Sequence, residues 1–151
     1  MAVGQRDVIR RAVPLNERLF RLEGGENVPV LLGAKCPSCG DCFFPSRVLC
    51  ASCGLAGLEP LALSGTGRVW TYTVAHQAPP GAIVQPPYVI AQVELPERVL
   101  VHSLVTGCAA EDVRIGMDVE IVPIKVREDD EGRDVMAFAF RPLPPRREAE
   151  R

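Results

Sequence analysis

Residues 35–54 read KCPSCGDCFFPSRVLCASCG, and this stretch holds five of the six cysteines of the chain. Cys36 and Cys39 form one C-x-x-C and Cys50 and Cys53 a second, with ten residues between the pairs. Two thiolates two residues apart converge on one metal only where the backbone turns tightly. The glycine that follows each pair, Gly40 and Gly54, accepts the positive φ that such a turn needs. Two such knuckles supply four thiolates, the closed tetrahedral set of a structural zinc site. The spacer is shorter than the common ~15–20 residues, but a short two-stranded hairpin spans it. Cys42 offers a competing register, because Cys39 and Cys42 also form a C-x-x-C. The glycine after Cys39 and the matching CASCG select Cys36 as the ligand and leave Cys42 as a small filler.

A set made only of cysteines leaves no open coordination position, so the metal activates neither water nor substrate. Its role is folding: a structural zinc contributes about 10–16 kcal/mol of apparent binding free energy in small peptides. That is ample for a lobe too small to bury a core of its own. Iron in the same cage would make a rubredoxin-like electron carrier, and the sequence leaves zinc and iron both open.

The totals set the frame. A chain of 151 residues with 47% hydrophobic content fits one domain, or two very small ones sharing a core. The formal charge of −2 and a pI near 5.7 supply no bulk attraction for nucleic acid or anionic lipid. No run of about 18 apolar residues occurs, so no membrane span is expected. The opening MAVGQRDVIRRAV is charged and lacks the apolar core of a secretory signal. The expected compartment is the cytoplasm, where clustered cysteines bind metal more often than they form disulfides.

Along the chain, residues 1–27 read as a helical arm. Val8, Ile9, Ala12 and Val13 recur at helical spacing, and Leu15, Leu19 and Leu22 repeat it after Pro14, before Gly24-Gly25 stops it. Residues 28–62 hold the zinc ribbon, residues 63–143 a β-barrel, and residues 144–151 a flexible tail. In the barrel segment RVWTYTVAH alternates, with Trp70, Tyr72, Val74 and His76 on one face. YVIAQVEL puts Val89, Ala91, Val93 and Leu95 on one face and joins RVLVHSLV through the tight Pro96-Glu97-Arg98 turn as a hairpin. MDVEIVPIKV is a fourth strand, with Pro123 marking an edge or a bulge. The acidic-glycine turn EDDEGR leads into DVMAFAF, the fifth. The fold class is therefore mainly β, and five strands is the number of an OB-fold barrel.

Little in the chain looks catalytic. Both histidines, His76 and His102, fall on expected strands. No nucleophile elbow, P-loop or H-E-x-x-H occurs, and GTGRV leads into a strand rather than the helix a phosphate loop needs. Cys108 has no histidine beside it in sequence. No catalytic residue is therefore assigned. A single-stranded nucleic-acid module is the rival reading, since zinc ribbons and OB-folds both serve it. It would need a basic groove with exposed stacking aromatics, and the acidic runs and 5% aromatic content argue against that.

The combined order is more specific than either knuckle. Cys36, Cys39, Gly40, Phe44, Pro45, Arg47, Cys50, Cys53 and Gly54 are followed by Ser64-Gly65-Thr66-Gly67, by Tyr72-Thr73-Val74 and by Pro87-Tyr88-Val89. Ile115-Gly116-Met117 and Phe140-Arg141-Pro142 close the series. From about Leu19 to Pro142 the chain resembles the OB-fold proteins with an N-terminal rubredoxin-like zinc ribbon, a former domain-of-unknown-function family. Ser46 and the Ala51-Ser52 pair depart from the usual proline-rich pattern without removing a ligand. The resemblance implies a non-catalytic partner of a thiolase-fold enzyme, a thiolase or an aldolase, that acts on acyl-CoA. It implies too that the partner brings the catalytic groups, while this chain helps build the complex and the CoA or acyl channel. Arg47 and Arg68 are the candidate contacts for CoA phosphates. The loop HQAPPGAIVQPPY carries Ile83 and Val84 between two Pro-Pro pairs that restrict it, which suits docking on a partner, a channel wall, or an ordinary long hairpin loop folded back on the barrel. Ile83 and Val84 are thus the first candidate partner interface, and Leu19 and Phe20 of the arm the second.

Overall fold

The structure, a computed structural model, describes residues 11–144. In chain order its strands are β1 (Ala12–Pro14), β2 (Phe20–Glu23), β3 (Val28–Lys35), β4 (Cys42–Phe43), β5 (Glu59–Ala62), β6 (Thr66–Ala75), β7 (Tyr88–Glu94), β8 (Leu100–Val105), β9 (Asp118–Glu128) and β10 (Asp134–Pro142). A single 3-10 turn, Ala110–Asp112, separates β8 from β9.

The last five strands close on themselves in the order β6-β7-β8-β10-β9-β6. All of these pairings are antiparallel except β8 with β10, which meet in parallel at Val105 and Phe140. The result is a five-stranded Greek-key barrel, the OB architecture. The expected alternation of β7 holds: Val89, Ala91, Val93 and Leu95 are all buried. The hairpin to β8 closes with Arg98 N donating to Leu95 O at 2.9 Å and Leu95 N to Val99 O at 3.0 Å. Val69, Val101, Val119, Ile121 and Phe140 fill the rest of the interior. Burying each such side chain is worth about 1.5–3 kcal/mol. Pro123 lies opposite Phe138 on β10, beyond the stretch where β9 also pairs with β6, so β9 has one strand neighbour there.

Two expectations are corrected. Strict alternation along β6 would put Trp70 on the face of Tyr72 and Val74. Instead the register shifts between Val69 and Thr71. Trp70 is the extra residue of this bulge and stands 56% exposed, while Val69 turns into the core. A bulge raises local twist, which a strand closing a barrel needs.

The second correction concerns the helical arm. The described part of that segment forms two strands and a turn, and Val8 and Ile9 lie outside the described residues. Ala12–Pro14 runs parallel to β10 as a sixth strand on the barrel sheet, with Leu15 N donating to Met136 O at 2.7 Å. One turn follows, in which Asn16 O accepts from Leu19 N at 3.1 Å and Asn16 Oδ1 from Arg18 N at 3.0 Å. That turn supplies the helix-like step from Leu15 to Leu19. Leu22 then falls on the inward face of β2 with Phe20, two residues before it, and β2 pairs with β3. Three leucines at helical spacing thus arise from a turn joined to a strand.

Candidate metal centre

Strand β3 ends at the first knuckle. Its last residues pair with β4, Lys35 opposite Cys42, so residues 36–41 form the tip of a hairpin. A bridge between Leu49 and Ala56 closes the second knuckle in the same way. The two backbones repeat each other. Cys36 N donates to Asp41 O at 2.8 Å and Gly40 N to Cys36 O at 2.9 Å; Cys50 N donates to Leu55 O and Gly54 N to Cys50 O, each at 2.9 Å. Gly40 and Gly54 carry φ of 80° and 76°, the left-handed conformation their residue type accepts without strain.

The four thiol sulfurs of Cys36, Cys39, Cys50 and Cys53 lie within 4.8 Å of one another. Two of the separations cross between knuckles, Cys36 to Cys53 at 3.6 Å and Cys39 to Cys50 at 3.5 Å. Tetrahedral Zn–S bonds of about 2.3 Å would place sulfurs about 3.8 Å apart, so the cluster could hold a metal ion with little movement. Cys36 and Cys50 are buried and Cys39 and Cys53 exposed. Ser52 Oγ donates to Asp41 Oδ2 and links the two knuckles.

The backbone N–H of Cys53 is the largest influence on Cys50 and, with the Ser52 N–H, brings its thiol down to about 6. Cys36 is lowered in the same manner, chiefly by the N–H of Cys39. At Cys39 the Asp41 N–H acts downward, but desolvation and the crowding of Cys50, Cys36 and Cys53 push the thiol up to about 12. Cys53 is raised too, against the pull of the Leu55 N–H, by desolvation and by Cys50 and Cys36. In each knuckle one thiol is thus pulled down and the other pushed up. A cation at the centre would be needed to hold all four as thiolates. Cys42 stands outside the cluster, its Sγ 3.8 Å from Gly40 O. Burial first, and Asp112 second, raise the Cys108 thiol above its ordinary range.

The other candidate residues are dispersed. Arg47 stacks on the Phe43 ring of the ribbon, its guanidinium carbon 5.2 Å from the ring centre. Arg68 lies on the barrel with its Nε 3.2 Å from Asp118 Oδ1, both side chains well exposed. Ile83 is exposed and Val84 half-buried, and both line a cleft of about 320 Å³ with Tyr88, Cys108, Ile124 and Lys125. Leu19 is half-buried against the core. Phe20, expected with it at a partner surface, is instead a core residue, 2% exposed, because β2 turns its ring inward onto Phe138. His76 and His102 are exposed.

Sequence reading missed the joint between ribbon and barrel. Ser64 lies between β5 and β6, and both its N–H (2.8 Å) and its Oγ (2.7 Å) donate to Glu97 Oε1 in the β7–β8 turn. Those residues are 33 positions apart, and neither carries a local signal of the pairing.

Comparison with known proteins agrees with the architecture. The family of the ChsH2 C-terminal OB-fold domain matches residues 61–122. A DUF35 domain-containing scaffold protein of Methanocaldococcus jannaschii is 42% identical over 75% of this chain and 82% of its own length. A chain of the Ltp2-ChsH2(DUF35) aldolase superposes with a TM-score of 0.63 at 32% identity, over 75% of this chain and 84% of that one. The benzoylsuccinyl-CoA thiolase subunit BbsA of Thauera aromatica is 27% identical over 76% of this chain and 78% of its own. With its paired cysteine knuckles set beside a five-stranded OB barrel, the chain belongs to the DUF35 family.

Proposed function

We propose that this chain is a non-catalytic accessory subunit of a thiolase-fold enzyme, a thiolase or an aldolase, acting on acyl-CoA thioesters. The observation that carries this reading is its kinship with a chain of the Ltp2-ChsH2(DUF35) aldolase, supported by its likeness to a benzoylsuccinyl-CoA thiolase subunit. The described residues fit a supporting role. The clustered thiols suit a closed metal site, and both histidines stand exposed. The partner supplies the groups that make or break the carbon–carbon bond.

In this reading Cys36, Cys39, Cys50 and Cys53 hold one zinc ion, which supplies cross-linking and no Lewis-acid chemistry. Ile83 and Val84 dock on the enzyme, and Arg47 and Arg68 meet phosphates of CoA at the joint surface. The Arg68–Asp118 pair is solvent-exposed and worth about 0–1 kcal/mol, so a phosphate can displace the carboxylate at little cost. Co-expression with a candidate thiolase-type enzyme from the same organism is the direct test. A stable complex on gel filtration, with the enzyme insoluble or inactive alone, is the expected result. A soluble, fully active enzyme that ignores this chain ends the proposal. Metal analysis should find one zinc per chain in a colourless protein.

A further inference from the structure

Two contacts among the four thiols cross between the knuckles, and each joins an exposed sulfur to a buried one: Cys39 with Cys50 at 3.5 Å, and Cys53 with Cys36 at 3.6 Å. We propose that the centre is a reversible redox clamp, in which oxidation replaces the metal cross-link by two disulfides between the knuckles, Cys39–Cys50 and Cys36–Cys53. The inference rests on the reading of these thiols as a zinc site.

The geometry sets the course of the reaction. A peroxide reaches the centre from the solvent side, where Cys39 and Cys53 are the exposed ligands. The exposed thiolate attacks one peroxide oxygen; the O–O bond breaks, hydroxide leaves, and a sulfenic acid forms. The buried thiolate facing it attacks that sulfur, the S–S bond forms and a second hydroxide departs. Each disulfide gives two electrons to one peroxide, so two peroxides are reduced to four hydroxides, which take up protons as water, and four thiolates become two disulfides. Once paired as disulfides, the four sulfurs would no longer hold a divalent cation. Pairing within a knuckle would free the two halves of the lobe from each other. Pairing across knuckles keeps them joined, so the ribbon survives without its metal, and a dithiol reductant with zinc restores the first state.

The sequence makes the pairing readable. Tryptic cleavage after Arg47 falls between the knuckles, so residues 36–47 carry Cys36 and Cys39 together with Cys42, and residues 48–68 carry Cys50 and Cys53. The full chain is first assayed for zinc, which tests the metal reading by itself. It is then titrated with hydrogen peroxide beside a chromogenic chelator, alkylated and digested without reductant. Zinc should appear at one ion per two peroxides, and the two peptides should emerge linked. The oxidised chain should keep most of the gap in thermal midpoint between the zinc-loaded and the reduced, chelated forms, and Cys42→Ser should change none of this. Unlinked peptides, each with an internal disulfide, overturn the proposal. So does an oxidised chain no more stable than the reduced, chelated one, or a pairing that requires Cys42. Absence of zinc from the purified chain sinks the metal reading, while the peptide pairing still reports on the geometry.

Discussion

Phe138 of β10 is the residue at which the parts of the molecule meet. Phe20 of β2 meets it edge-on with ring centres 5.3 Å apart, and Phe44, just after the first knuckle, at 6.3 Å. Such pairs add about 0.5–1.5 kcal/mol beyond the area they bury. We expect Phe20→Ala to lower the unfolding free energy by about 3–5 kcal/mol in urea titration, the range for truncating a buried aromatic. A loss within experimental error would mean that β2 is not anchored there. Gly67 makes a different point. A Cβ at this position would sit 2.5 Å from Glu94 O and 2.8 Å from a Val93 methyl carbon. Gly67→Ala therefore forces β6 and β7 apart, at about 1–3 kcal/mol by analogy with overpacked cores, measurable as a fall in thermal midpoint. Strict alternation puts Trp70, three residues on, on the wrong face, because a bulge is fixed by what the partner strand requires and leaves no trace in local alternation.

At the level of elements, the barrel strands β7–β10 were legible because each buries one face. β7 shows this best, with its four alternate buried residues. The cysteine knuckles were legible because metal geometry imposes spacing and glycine placement locally. The segment before β3 was not, since one turn followed by a strand copies the repeat of a helix, and only the pairing of β1 with β10 decides between them. The ribbon itself has a thin core: among its hydrophobic residues Leu31, Ala34, Cys36 and Cys50 are the buried ones. Removing the metal with a strong chelator under reducing conditions should abolish amide-exchange protection in β3–β5 while β6–β10 keep theirs. Uniform loss across both parts would show that the barrel leans on the metal too. The joint can be probed separately. Glu97→Ala removes the acceptor of two hydrogen bonds from Ser64 and strands a partly buried N–H. A loss of about 1–3 kcal/mol is expected, with Glu97→Gln retaining most of the stability because its amide oxygen still accepts.

For the molecule as a whole, the five strands of the barrel could be counted from the sequence, but closure could not. The barrel shuts through β6 with β9 and through the single parallel contact of Val105 with Phe140, pairings that join residues far apart in the chain. Neither propensity nor turn chemistry encodes them. The surface left by this closure decides how the chain can serve another protein. The loop between β6 and β7 projects from the barrel between Pro79-Pro80 and Pro86-Pro87. It holds Ile83 48% exposed and Val84 half-buried over the cleft shared with Cys108 and Ile124. Prolines reduce the freedom this loop has to lose on docking, so its apolar tip can add to affinity at low entropic cost. Replacing Ile83 and Val84 together by Asp removes up to about 1.5–3 kcal/mol of apolar burial per side chain and places two charges in the contact. We expect the complex with the thiolase-type partner to weaken by about 100-fold or more in a titration, while the urea midpoint of the isolated chain stays close to that of the parent. The ribbon offers the competing surface, with Val48 80% and Leu49 56% exposed beside the second knuckle. Val48→Asp with Leu49→Asp is the matched control. If that pair disrupts the complex and the loop pair does not, the enzyme sits on the metal lobe and the loop is a wall of this chain's own barrel.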